Sequence, residues 1–234
     1  MADVPVIAVD GPGGTGKGTL CCYLAQWLGW HLLDSGALYR AVALLATRAR
    51  SNLDSGADLA ALARHTRIDF RLPADSGAVR VVLEGEDVTD LIRSEECGNA
   101  ASRVAAHTEV RAGLLALQRV HRRPPGLVAD GRDMGTVVFP DAGLKVYLTA
   151  DPEERVKRRY KQLIEKGISV SLSRLSANIV ERDHRDQERD VSPLRPARDA
   201  VMIDTTTTGL DEVRLRVAEL VRTRFASVVP LSAH

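Results

Sequence analysis

Residues 9–20 read VDGPGGTGKGTL, with glycines at 11, 13, 14, 16 and 18 around a single lysine. The run before them, Val4 to Val9, is short, apolar and rich in β-branched residues, and predicts a buried strand. After them, Lys17 to Leu28 places Leu20, Leu24 and Leu28 on one helical face. Gly11 to Lys17 matches G-x-x-x-x-G-K between that strand and that helix, which is the setting a phosphate-binding loop requires. Glycines let backbone N–H groups turn inward around an oxyanion, and the helix N-terminus adds partial positive charge. Lys17 adds a full one. The stretch Gly11, Pro12, Gly13, Gly14, Thr15, Gly16, Lys17, Gly18 and Thr19 is therefore expected to hold the phosphates of a nucleoside triphosphate, with Lys17 catalytic.

One position departs from the general pattern. Gly18 follows the lysine where a Ser or Thr would coordinate Mg²⁺ directly. The ion is then expected on phosphate oxygens and waters. Asp130, at the end of a later strand, is the candidate to hold those waters.

Outward from the loop, short apolar runs alternate with helical patterns. Strands are expected at Trp30–Leu33, Leu127–Ala129, Leu144–Leu148 and Val201–Asp204. Helices are expected at about 37–47, after Asp151-Pro152, at about 171–185 and at about 210–224. Asp151 is read as an N-cap and Pro152 as the first helical residue. This alternation predicts an α/β chain with a parallel sheet covered on both faces. The middle differs. Ile68–Leu72 and Val79–Leu83 read as strands, Glu84–Asp87 as a hairpin turn, and a helical pattern runs from about Ser94 to Arg123. A small antiparallel patch inserted in the α/β chain is expected there.

Whole-chain properties exclude several classes. The 234 residues carry a net charge of only +1, so a general polyanion or nucleic-acid binder is not expected. No apolar run is long enough to cross a membrane, and the start lacks the pattern of a signal peptide, so the expected location is the cytoplasm. Cys21, Cys22 and Cys97 have neither disulfide nor zinc spacing. There is no N-K-x-D for guanine and no D-F-G of a protein kinase. Arginine outnumbers lysine 27 to 5, which suits forked recognition of phosphate if the arginines converge.

In a doubly wound sheet, ligands sit beyond the carboxyl ends of the strands. Three ends here are polar: the glycine loop, LLDSGALYR (32–40) and ADGRDMG (129–135). They bring hydroxyls, arginines and aspartates to one crevice, and a second anion would fit beside the triphosphate.

The chain resembles the nucleoside monophosphate kinases, and the bacterial cytidylate kinases most closely. The resemblance is carried, in order, by DGPGGTGKGTL, WHLLDSGALYR, VLEGEDVTD, NAASRVAAHTEVR, ADGRDMGTVVFPDA and IVERDHRDQER, spread over about residues 5–205. It implies the P-loop nucleoside monophosphate kinase fold. That fold has a doubly wound parallel five-stranded sheet, a core over about 1–60 and 120–234, an acceptor-binding insert over about 61–119, and a helical lid within about 155–192. It implies ATP and Mg²⁺, CMP and dCMP as acceptors, and a monomer. Residue by residue, it implies that Ser35, Arg40 and Arg132 hold the acceptor phosphate and that Ser102, Arg111 and Asp133 read the pyrimidine. It assigns Arg182 to the phosphates, and Asp186 with Arg189 to the ribose. Arg182, Asp186 and Arg189 also share one helical strip by spacing. Arg132 and Arg182 join Lys17 as catalytic residues. Arg155, Arg158 and Arg159 stay open between the ATP side and the surface.

Overall fold

The computed structural model describes residues 4–72 and 79–226. Its centre is a five-stranded parallel sheet in the order β2-β6-β1-β7-β8. Strand β1 (Val6–Asp10) lies in the middle and is buried at every residue. That is why its sequence is continuously apolar rather than alternating. The flanking strands are β2 (His31–Asp34), β6 (Leu127–Gly131), β7 (Leu144–Thr149) and β8 (Val201–Asp204). Helices α1 (Lys17–Leu28), α2 (Ser35–Arg48) and α9 (Leu210–Arg224) pack on the sheet, while α7 (Pro152–Glu165) and α8 (Leu172–Glu188) pack on each other.

Register sets the active end of the sheet. Asp34 on β2 pairs with Asp130 on β6, and Asp10 on β1 pairs with Gly131. Three carboxylates therefore stand at neighbouring strand ends, on the side where the glycine loop begins.

The insert contains a second sheet, in the order β3-β4-β5: β3 (Ile68–Arg71), β4 (Arg80–Leu83) and β5 (Glu86–Asp87). The expected hairpin turn is shorter than the sequence suggested. Glu84 and Gly85 alone take positive φ values of 51° and 90°, and Glu86–Asp87 return as a third strand. Around it lie α3 (Gly56–His65), α4 (Thr89–Ile92), α5 (Glu95–Val104) and α6 (Thr108–Val120). Helix α6 packs against α3, α5 against α2, and α8 reaches α5.

Asp151 occupies the N-cap of α7, but its side chain makes no capping bond. Its amide instead donates to Thr206 Oγ1 at 2.9 Å, which ties α7 to the loop after β8. On the outer side, α9 is clasped to α1 by aromatic and cationic side chains. Tyr23 stacks on Trp27, with Arg214 over the first ring and Arg222 over the second. Trp30 is buried edge-on to Phe225.

Candidate active site

The glycine loop needs glycine for steric reasons at two points. A Cβ on Gly11 would lie 2.0 Å from the carbonyl oxygen of Leu148, and Gly14 sits at φ +81° against α7. Helix α1 starts after Gly16 with no side-chain cap and no acidic residue in its first turn. Its free amides are thus left to an outside acceptor. Lys17 is 5% exposed and donates to the Pro12 carbonyl at 2.6 Å, and Thr15 Oγ1 donates to the same oxygen at 3.1 Å. The loop closes on its own lysine.

Beside it lies a cavity of about 210 Å³, lined by Lys17, Arg40, Arg93, Arg132, Arg159 and Arg182, with Asp34 and Asp130 as its acids. Six cations facing two carboxylates make it an anion site. Burial pushes Lys17 down to about 7, with Arg132 adding to the effect. It pushes Arg182 down to about 10, reinforced by Arg40 and Arg132. Both shifts come from desolvation and mutual repulsion, and a bound polyanion would relieve both.

A second cavity joins the first through Gly36, Gly131, Arg132 and Arg182. It is lined by Ser35, Tyr39, Ser102, Arg111, Arg132, Asp133, Arg182, Asp186 and Arg189, among others. Every acceptor residue expected from sequence except Arg40 faces this cavity, and Arg40 faces the first. The second cavity measures only about 50 Å³, room for a few waters but not for a nucleotide. Its side chains pair with one another instead. Arg111 is bonded to Asp133, both under 10% exposed. Asp186 accepts from Ser102 at 3.2 Å and from Arg132 at 3.3 Å. Burial works against the Asp186 carboxylate, but Arg132, Arg182 and Arg189 outweigh it and hold its pKa below the usual range. Donors are left over: Arg111 Nε, Arg182 Nε and Arg189 Nη2 are buried without a partner.

Arg40 Nη1 donates to the carbonyls of Ile92 and, at 3.2 Å, Ser94. It thereby ties α2 to the end of α4. Arg132 lies between the cavities, with Nη2 3.7 Å from where a Cβ on Gly13 would be.

Several supporting residues escaped the sequence reading. Asp10 is 4% exposed and accepts from the amides of Met134 and Gly135, each at 2.8 Å. It thereby holds the π-helical turn Met134–Val138 and aims Arg132 and Asp133 at the crevice. Gln118 is 2% exposed and accepts from Ser35 Oγ at 2.9 Å. It also bonds Tyr39, whose ring lies 5.5 Å under the Arg111 guanidinium. A polar residue on the apolar stripe of α6, seven positions after Arg111, was the available signal for Gln118. Arg158 bonds Thr205 and Thr206, and Arg159 pairs with Glu95 of α5.

The metal question turns on Gly18. A Cβ there would sit 3.5 Å from Asp130 Oδ2, so the direction of the usual hydroxyl is taken by a carboxylate. Burial, with Asp34 adding to it, pushes Asp130 up to about 7. Among the described residues, no three His, Cys, Asp or Glu side chains are arranged to bind a metal directly. This donor set fits a hydrated cation beside phosphate, contacted through water. Thr19 is exposed and lines an outer cleft of about 890 Å³ with Asp34 and Asp130.

The family model for cytidylate kinase matches residues 7–223. The chain belongs to the cytidylate kinase family. Curated relatives named cytidylate kinase agree along nearly all of it. The one from Shewanella frigidimarina is 55% identical over 93% of this chain and 95% of its own. That from Shewanella loihica is 56% identical over 89% and 90%. The one from Aeromonas hydrophila is 55% identical over 91% and 92%. The protein is therefore a kinase of this family. No described helix is long and apolar enough to cross a membrane.

Proposed function

We propose that this chain transfers the γ-phosphoryl group of ATP to CMP or dCMP, giving ADP and CDP or dCDP. The observation that carries the reading is the pair of joined cavities. One is ringed by six cations beside the glycine loop, the other is lined by Ser102, Arg111 and Asp133, and Arg132 and Arg182 line both.

The attacking group is the phosphate of CMP, already ionised at pH 7, so no general base is needed. Catalysis is then positioning plus charge neutralisation. Lys17 exchanges the Pro12 carbonyl for a donor phosphate oxygen, while the glycine-loop amides and the α1 N-terminus hold the others. Arg40, Arg132 and Ser35 bind the acceptor phosphate, and Arg182 spans the two. Asp133 accepts from the exocyclic amine of cytosine, Arg111 donates to the ring acceptors, and Ser102 completes the set. Asp186 and Arg189 meet the ribose. A uracil O4 would face the Asp133 carboxylate, and sites built of matched polar groups reject such isosteres strongly. Mg²⁺, with its waters on Asp130, would neutralise charge on the transferring group.

The small base-side cavity supports entry by opening. The insert, about residues 61–119, and the lid within about 155–192 part to admit CMP and then close, excluding water as a rival acceptor.

The test is ADP formation from Mg-ATP with CMP, dCMP, UMP, AMP, GMP and shikimate in parallel. Stimulation by CMP and dCMP with weak UMP is expected. Preference for another acceptor would remove the base-side roles. No stimulation by any would leave an ATP-binding protein without a transferred phosphate.

A further inference from the structure

Sequence left Arg155 open between the ATP side and the surface. In the structure it is 4% exposed, in the first turn of α7. Each arm of its guanidinium is used. Nε donates to the Ala150 carbonyl at 3.1 Å, Nη1 to the Gly13 carbonyl at 3.2 Å, and Nη2 pairs with Asp183 Oδ2 at 2.6 Å. The backbones touch as well. A Cβ on Gly14 would lie 3.0 Å from Arg155 Cβ and 3.3 Å from its carbonyl oxygen. The glycine loop therefore rests on α7. Asp183 belongs to α8, next to Arg182 and one turn before Asp186.

We propose that Arg155 is a positioning residue for phosphoryl transfer: its guanidinium joins the Gly13 carbonyl of the glycine loop to Asp183 of α8. Filling the loop and placing Arg182 and Asp186 on the acceptor then become one event. The inference rests on the reading above, in which the loop holds ATP and α8 faces CMP.

The physical reason lies in the loop's geometry. For its amides to point inward at phosphate, carbonyls such as that of Gly13 must point outward. A carbonyl turned into protein needs a donor, and Arg155 supplies it. The same planar fork is fixed at its other end by a carboxylate, which a point-charge lysine could not do in both directions. A shift of the loop on binding triphosphate therefore moves, or is resisted by, the Asp183 turn of α8. By linkage the effect is reciprocal.

The experiment is calorimetric titration of CMP into the full chain, with and without a Mg-bound non-hydrolysable ATP analogue. It is run on wild type, Asp183→Asn and Arg155→Lys. In wild type the analogue is expected to tighten CMP by about fivefold or more. Asp183→Asn keeps the side chain's size and is expected to bring that factor close to one. Arg155→Lys, which cannot hold both ends, is expected to lose most of it as well. Melting temperature is recorded for each variant. A lowered melting temperature with an unchanged factor would mean a purely structural pair and overturn the proposal. A wild-type factor of one would overturn it too. Failure of the underlying reading looks different: wild type would then form no ADP with CMP.

Discussion

Asp133→Asn should shift the chain's preference from CMP toward UMP. Asp133 and Arg111 form a bonded pair, 4% and 7% exposed at their side chains, in the wall of the smaller cavity, where the acceptor base is proposed to sit. Neutralising the aspartate does two things to recognition. The acceptor offered to the cytosine amine weakens from a carboxylate to an amide oxygen, and the amide N–H can now donate to a uracil O4. Each change is worth about 1–2 kcal/mol, as for one hydrogen bond gained or weakened at a buried site. Together they predict a fall of roughly 100-fold in the ratio of kcat/KM for CMP over UMP, since about 1.4 kcal/mol is tenfold. There is a separate stability cost. Arg111 already has its Nε unpartnered, and Nη1 reaches only the Ala105 carbonyl at 3.2 Å. Losing the carboxylate leaves a buried cation short of charge, which costs about 3 kcal/mol. Because the amide still accepts from Arg111, Asp133→Asn should fold where Asp133→Ala suffers more. The assay is initial rates with both monophosphates at saturating Mg-ATP, together with urea unfolding of each variant. A CMP/UMP ratio within about threefold of wild type, in a folded variant, would refute the reasoning and place the base reader elsewhere.

Three further outcomes are expected. Lys17→Ala should lose most turnover and keep CMP affinity, read by kcat and by CMP titration, because Lys17 faces the donor cavity and not the base-side one; near-normal kcat would remove the glycine-loop assignment. Asp10→Ala should lower stability by about 2–4 kcal/mol, since two buried amides lose their acceptor, at about 1–3 kcal/mol each and partly rehydrated; an unchanged urea midpoint would contradict it. Burial holds Asp10 at about 6 and Asp130 at about 7, both above their ordinary 3.8. A carboxylate raised on folding contributes stability that is full below about pH 4 and lost as pH rises through its folded value. The contribution of these two groups should therefore fall between pH 4 and 7, so Asp130→Asn should gain stability relative to wild type as pH rises through that window; a difference between the two proteins that stays constant from pH 4 to 7 would show the reasoning to be wrong.

The core sheet was legible because each of its strands is a short apolar run bounded by turn residues. The glycine loop was legible because phosphate binding constrains backbone and charge together. Helix α1, strand β8 and helix α9 start and stop where periodicity and breakers place them. Helix α3 was not seen: GADLAALARH is short, alanine-rich and follows a loop, and its evidence is tertiary, the packing against α6. Strand β5, at two residues, is too short to leave a pattern. Asp10 was hidden because a carboxylate inside a glycine-loop motif looks like part of the motif, while its partners lie 124 and 125 residues away. Arg155 and Arg159 stayed open between the ATP side and the surface because a charged helix carries no sign of which face it buries. Only the fold shows that one supports the loop and the other meets Glu95 of α5.

The pairing of side chains within the site also sets a condition on how it works. Many of its groups already have protein partners: Lys17 holds Pro12, Arg111 holds Asp133, and Asp186 holds Arg132 and Ser102, while Arg111 Nε, Arg182 Nε and Arg189 Nη2 have none. A contact proposed through one of the paired groups would displace its present partner, so there the gain is the difference between two bonds, whereas the unpartnered donors would gain a bond outright. On the proposed reading phosphate would win that exchange easily, because burial and mutual repulsion depress Lys17 and Arg182 and a polyanion would relieve both. The base would win it narrowly, because it would have to replace the existing Arg111–Asp133 pair. Triphosphate should then contribute most of the attraction at this site, and the pyrimidine most of the selectivity. This is why Lys17 and Asp133 substitutions should fail in different observables.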